Sequence, residues 1–160
     1  MKNQIKGLDE LELLIGEWKM ESIVNDVVVV SGKTTFAWLA GKSYLIQHTA
    51  ADPPLPTTPQ IWIDNSPFPT IAIISLDDHS GQLYYNYADG RDVHRVYQMS
   101  FKDKTMELRG QVGPKFYQRL TNTLSEDGNT INSLIEKSED NKTWQTDFIA
   151  RYTRLKSAPG

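Results

Sequence analysis

The most constraining stretch of this chain runs from Leu83 to Arg109, because it reads as two β-hairpins in immediate succession. Leu83-Tyr84-Tyr85-Asn86-Tyr87-Ala88 meets turn residues at Asp89-Gly90-Arg91-Asp92, returns from Val93 to Phe101, and turns again near Asp103. Turns this tight leave no room for a crossover helix, so the sheet here is antiparallel. The first turn predicts Ala88 opposite Val93, Tyr84 opposite Tyr97 and Asn86 opposite Arg95. A two-residue turn at Asp103-Lys104 puts Phe101 opposite Met106 and Met99 opposite Leu108. Side chains alternate along a strand, so Arg95, Tyr97, Met99, Phe101, Met106 and Leu108 share one face. The other face holds His94, Gln98, Ser100, Thr105, Glu107 and Arg109. Composition makes the first face the buried one, and it carries an arginine.

A guanidinium on an apolar face needs a reason, since an unpaired buried charge costs several kcal/mol. Arg95 either reaches water at a strand end, pairs with an internal carboxylate, or meets the anionic or carbonyl end of a ligand.

Elsewhere the chain repeats the hairpin pattern. Leu8, Leu11, Leu14 and Ile15 have helical spacing, with Asp9 placed to cap, and predict a short plug helix ending at Gly16. Trp18, Met20, Ser22 and Val24 then share one face of a first strand. Asn25-Asp26 and Ser31-Gly32 read as turns, and Lys33 to Ala50 as a hairpin about Gly41-Lys42. The stretch 51–69 holds six of the eight prolines and reads as a stiff loop, with Ile61-Trp62-Ile63 a short strand inside it. Ile71 to Leu76 is a strand, and Gly110 to Pro114 a loop. Phe116 to Ser125 pairs with Asn129 to Ser138 about Asp127-Gly128, placing Arg119 opposite Glu136 and Leu120 opposite Ile135. In the final strand Trp144, Thr146, Phe148, Ala150 and Tyr152 join Gln118 on the inner face, while Arg119, Glu136 and Asp147 form an outer charge cluster.

One short helix and about ten strands joined by tight turns predict an all-β, antiparallel up-and-down β-barrel. Closure also removes the exposed edges of the sheet. At 160 residues the chain, 1–160, reads as a single domain. A net charge of −3 without a basic run argues against nucleic acid as a partner. The absence of cysteine removes disulfides and thiol chemistry. Met1 to Lys6 has no apolar signal core and no stretch is apolar enough to span a bilayer, so the expectation is a cytoplasmic protein with no membrane partner. Asp78-His79-Ser80 holds the letters of a catalytic triad, but neighbours on one turn cannot adopt that geometry. No His, Asp and Glu spacing suggests a metal site, and no catalytic residue is assigned.

The short helix followed by Gly16-Glu17-Trp18, with Arg154 near the end of the last strand, resembles the calycins, the lipocalin and fatty-acid-binding-protein group. A fuller resemblance is to uncharacterised bacterial lipocalin-like proteins. It rests on Leu11 to Trp18, Phe36-Ala37-Trp38-Leu39, Arg91 to Ser100, Gln118-Arg119, Ser125 to Ile131, Asp147-Phe148 and Tyr152-Thr153-Arg154. It implies the barrel fold and no established activity, and the calycin resemblance implies an arginine lying across Trp18. Asp92 stands where the resemblance leads one to expect glycine, and 53–69 matches poorly. The glycine-rich opening of haem-binding barrels of this kind is replaced by Lys19-Met20-Glu21-Ser22, and His48 is the only histidine placed to face a cavity, so no cofactor is expected. The Arg-x-Tyr of fatty-acid binders is not reproduced by Arg151-Tyr152-Thr153-Arg154.

These readings make the leading expectation a module that binds a small hydrophobic or amphipathic molecule in its barrel. The polar anchors would be Arg95, Tyr97, Tyr84, Asn86 and Gln118, and the apolar contacts Met99, Phe148 and Tyr152. Residues 51–69 are the candidate lid. One alternative is a barrel enzyme acting on a small aromatic or carboxylate substrate through Arg95 and Tyr97, which would need an inward carboxylate. Another is a filled barrel serving as an interaction or homodimerisation module.

Overall fold

The computed structural model describes residues 8–157; the Met1 to Lys6 segment lies outside them. Ten antiparallel strands close into a barrel in simple sequential order, the first pairing with the last. They are β1 (Gly16–Val24), β2 (Val27–Leu39), β3 (Tyr44–Ala51), β4 (Thr70–Leu76), β5 (Leu83–Asp89), β6 (His94–Lys102), β7 (Thr105–Gly113), β8 (Phe116–Leu124), β9 (Thr130–Ser138) and β10 (Gln145–Ser157). This architecture is consistent with a calycin-like fold. Among the described residues no helix is long and apolar enough to cross a membrane.

The two ends of the barrel differ. At one end a 3-10 helix, Asp9–Leu14, presses Leu11 and Leu14 into the interior. Its N-terminus is Leu8, and no side chain caps it, so Asp9 does not cap as expected. Trp18 is wholly buried and donates its indole N–H to the Leu14 carbonyl at 2.9 Å. Arg154, paired with Trp18 across β1 and β10, lies 4.1 Å above its ring. Its guanidinium also donates to the carbonyls of Leu13, Ile15 and Gly128. The cation therefore seals the helix against the sheet, with each guanidinium nitrogen making one hydrogen bond. Behind it pack Phe36, Leu45, Ile74, Leu83, Met99 and Leu108.

At the other end lie the turn at Asn25-Asp26, the long β3–β4 connection and the turns after β5 and β7. Most of the tight turns fall where the residues predict. Asn25 and Asp26 take φ of 49° and 63°, which short polar side chains tolerate. Ser31-Gly32 is not a turn, because β2 runs straight through it. Gly32 is needed there for close approach: a Cβ would stand 2.3 Å from the Ala50 carbonyl oxygen. Nor is Gly110 to Gly113 a loop, since β7 continues through it and only Pro114-Lys115 turn. Ile61-Trp62-Ile63 falls within a short helix, α1 (Gln60–Asp64), not a strand.

Two phase errors matter for the interior. Between β5 and β6 the register is Tyr85 opposite Tyr97 and Tyr87 opposite Arg95, one residue from the expected pairing. The loop is Gly90-Arg91-Asp92, closed by Asp89 N–H to the Val93 carbonyl, with Asp92 in the left-handed region at φ 62°. That is the position at which the resembling proteins lead one to expect glycine, which is unstrained there. The slip turns Tyr84 and Asn86 to the outer surface and brings Tyr85 and Tyr87 inside. In β10 a bulge falls between Thr146 and Phe148, with Thr146 opposite Glu136 and Phe148 opposite Ile135. Trp144 and Thr146 are therefore not on the inner face. Trp144 stacks instead on the Arg119 guanidinium at 4.3 Å, beside the Arg119–Glu136 ion pair of 2.8 Å.

Candidate functional site

The open half of the barrel encloses a cavity of about 560 Å³. Its position follows from the inward residues of each strand, which change character along the barrel axis. On β6 they read Arg95, Tyr97, then Met99 and Phe101. On β3 Thr49 and Gln47 precede Leu45 in the same direction, and on β5 Tyr87 and Tyr85 precede Leu83. The polar members line the cavity and the apolar members fill the closed half.

The centre of the site is a cluster around Gln118. Its Oε1 accepts a hydrogen bond from the Tyr97 hydroxyl at 2.5 Å and from Arg95 Nη1 at 3.0 Å. Arginine only donates, so the atom facing it is the amide oxygen and the orientation of Gln118 is chemically fixed. Tyr97 reaches Gln118 by lying across Gly110 of the intervening strand, where a Cβ would stand 3.1 Å from the tyrosine ring. Arg95 also lies 5.7 Å from the Phe116 ring centroid. Among the described residues, no carboxylate oxygen lies within 4.0 Å of its guanidinium nitrogens.

A second pair mirrors the first. Tyr85 donates to Gln47 Oε1 at 2.6 Å, and the Tyr85 and Tyr97 rings meet edge to face at 6.0 Å. Burial raises the hydroxyl pKa of Tyr85 and of Tyr97, with Arg95 opposing the rise at Tyr97. Tyr152, on the facing wall, is pushed up to about 12 by burial. All three therefore stay neutral at physiological pH.

The observed β5 register also turns a carboxylate inward. Asp89 ends β5 with its side chain shielded from solvent, held by Arg91 at 2.6 Å and by the Tyr87 hydroxyl at 2.7 Å. Burial acts to raise its pKa, but the hydrogen bonds from Arg91 and Tyr87 prevail and hold it at about 2. A carboxylate so committed is a poor general base. Asp147, at the rim, faces Lys137 at 3.7 Å.

Residues 52–69 form part of the mouth. Trp62 of α1 meets Phe148 edge to face at 5.2 Å, and Phe68 lines the cavity beside it. The segment is fixed at both ends. Thr57 and Thr58 hydroxyls donate to the Val28 and Val29 carbonyls at 2.6 Å, and Gly90 N–H donates to the Pro67 carbonyl at 2.9 Å.

Of the residues expected to line the site, Arg95, Tyr97, Gln118, Phe148 and Tyr152 lie around the cavity. Met99 faces inward but is packed in the closed half. Tyr84 and Asn86 lie on the outer surface, for the register reason given above. His48 is also outward and exposed. Among the residues missed are Tyr85, Tyr87, Gln47, Trp62, Phe68, Phe116 and Arg91. The alternation Leu83, Tyr85, Tyr87 carried the signal for the first two, and nothing local marked the others. Among the described residues no group of three His, Cys, Asp or Glu is placed to hold a metal ion. Compared with known proteins, the sequence matches no protein-family model, and no curated protein matches it.

Proposed function

We propose that this barrel binds a small amphipathic molecule, with its anionic or carbonyl end at Arg95 and its apolar body against the aromatic wall. The observation that carries this reading is Arg95 itself. It is a guanidinium facing a cavity, held by Gln118 and Phe116, with no carboxylate partner within 4.0 Å among the described residues. Half-buried at the open end of the cavity, the guanidinium has donors left to meet an anionic or carbonyl group there. The volume of about 560 Å³ lies in the usual range for small-molecule sites. It also weighs against a merely filled barrel.

Trp18 under Arg154 supports placing the chain with the calycins, the group to which the bacterial lipocalin-like proteins it resembles belong. A cytoplasmic location belongs to the same reading. Native mass spectrometry of freshly purified protein, followed by denaturation, tests the function. A stoichiometric small molecule carrying an acidic or carbonyl group supports it. A released molecule without an acceptor group, or failure to bind any aryl or alkyl acid when challenged, overturns it. The intact mass reports in addition whether the chain forms a homodimer.

A further inference from the structure

The two tyrosine–glutamine pairs have a polarity that narrows the ligand. Gln118 Oε1 is occupied by Arg95 and Tyr97, so the amide N–H groups are what Gln118 offers to the cavity. Tyr97 has spent its only proton on that oxygen and positions Gln118 without donating to a ligand. Arg95 keeps further donors beside the same amide. The first pair is therefore a cluster of donors around one uncommitted positive charge. Arg91, the other cavity-lining cation, is neutralised by Asp89.

The second pair lies across the interior. Gln47 is on β3 and Gln118 on β8, with the edge-to-face Tyr85 and Tyr97 between them. Gln47 Oε1 takes the Tyr85 proton, leaving the Gln47 amide hydrogens and the Tyr85 lone pairs toward the cavity. No charged side chain is hydrogen-bonded to this pair among the described residues. Trp62, Phe68, Phe116 and Phe148 supply aromatic lining to the same cavity, with Trp62 edge-on to Phe148.

We infer that the cavity takes a compact cyclic or aromatic monocarboxylic acid carrying a second, neutral hydrogen-bonding group, hydroxyl or keto, at the end away from the carboxylate. The carboxylate sits between Arg95 and the Gln118 amide, and the neutral group meets Gln47 and Tyr85. This rests on the binding reading above and goes beyond it by requiring two polar points. A plain aliphatic tail leaves the Gln47 amide buried without a partner, which disfavours it.

Three probes of one shape separate the possibilities: naphthol, naphthoic acid, and a hydroxynaphthoic acid with its groups at opposite ends. Their affinities for the full-length protein are read by calorimetry at neutral pH. The expected order is hydroxynaphthoic acid over naphthoic acid over naphthol, with each step about tenfold. Gln47→Met removes the first step, weakening hydroxynaphthoic acid and tightening naphthoic acid, which no longer buries an unpartnered amide. Gln118→Glu, which gives Arg95 an internal carboxylate, removes the second step and leaves naphthol unchanged. Tyr97→Phe, freeing Gln118 to turn, weakens both acids and spares naphthol; a loss shared by naphthol marks Tyr97 as structural and overturns its positioning role. Equal affinity of the two acids, both above naphthol, overturns the two-point inference while the binding reading stands. Binding of decanoate but none of the three overturns the two-point inference alone, and binding of neither decanoate nor any of the three overturns the binding reading itself. The ranking by the unaltered protein decides the case even if a variant fails to fold.

Discussion

The two halves of the barrel interior are built on the same strands, in the same alternation, and do opposite work. In the closed half Leu45, Leu83, Met99 and Leu108 continue the inward rows of β3, β5, β6 and β7 and are almost wholly buried. In the open half the same rows present Gln47, Tyr85, Tyr97 and, on β7, the small Gly110. The apolar half is buried and packed, so stability is concentrated there. The other half has surrendered packing for placed polar groups. Stability and recognition are thus separated along the axis of one sheet.

This contrast can be broken at several points. The largest effect is expected from Trp18→Ala, which removes the ring under Arg154 and the contact with the plug helix. It should cost about 3–5 kcal/mol in urea unfolding. A variant as stable as the parent would show that the closed half does not carry the fold. Arg95→Ala should do the reverse. Affinity for an anionic ligand should fall by about 1–3 kcal/mol, while the unfolding midpoint stays put, since Arg95 is only half-buried and Tyr97 still donates to Gln118. A large loss of stability there would erase the division of labour.

The Asp89 site sharpens the comparison through pH. Its folded pKa of about 2 lies below the unfolded value of about 3.9. Its contribution is therefore fully present above about pH 4 and is lost as pH falls toward about 2. Asp89→Asn should flatten that part of the acid unfolding profile relative to the parent. Identical acid limbs would mean the turn draws nothing from the Arg91 and Tyr87 contacts. The smallest effect is expected from the double change Gln47→Leu with Tyr85→Phe. Removing both partners leaves no orphan, so stability should hold within about 1 kcal/mol by urea unfolding. A larger loss would make the open half part of the core.

How much of this was legible depends on whether the signal was local. The β6–β7 hairpin and its inward face followed from a two-residue turn and a clean alternation, and the observed pairing of Phe101 with Met106 and Met99 with Leu108 agrees. The β8–β9 pairing of Arg119 with Glu136 agrees as well. The β5 phase was lost because an odd-length loop, accommodated by Asp92 at φ 62°, reversed the face. An inserted residue at Asp147 did the same to the start of β10. Both are single-residue features whose effect is to swap inside for outside. The Tyr97–Gln118 contact spans β7 and depends on Gly110, so only the folded sheet reveals it.

One consequence follows from the closure of the barrel. Gly16 of β1 pairs with Ser157 of β10 beside the plug helix. The chain therefore enters and leaves the barrel at the same pole, opposite the mouth. Anything joined on either side of these strands, whether a neighbouring domain or a laboratory support, hangs from the sealed pole. Tethered in that way, the barrel would still offer its mouth to the surrounding solution.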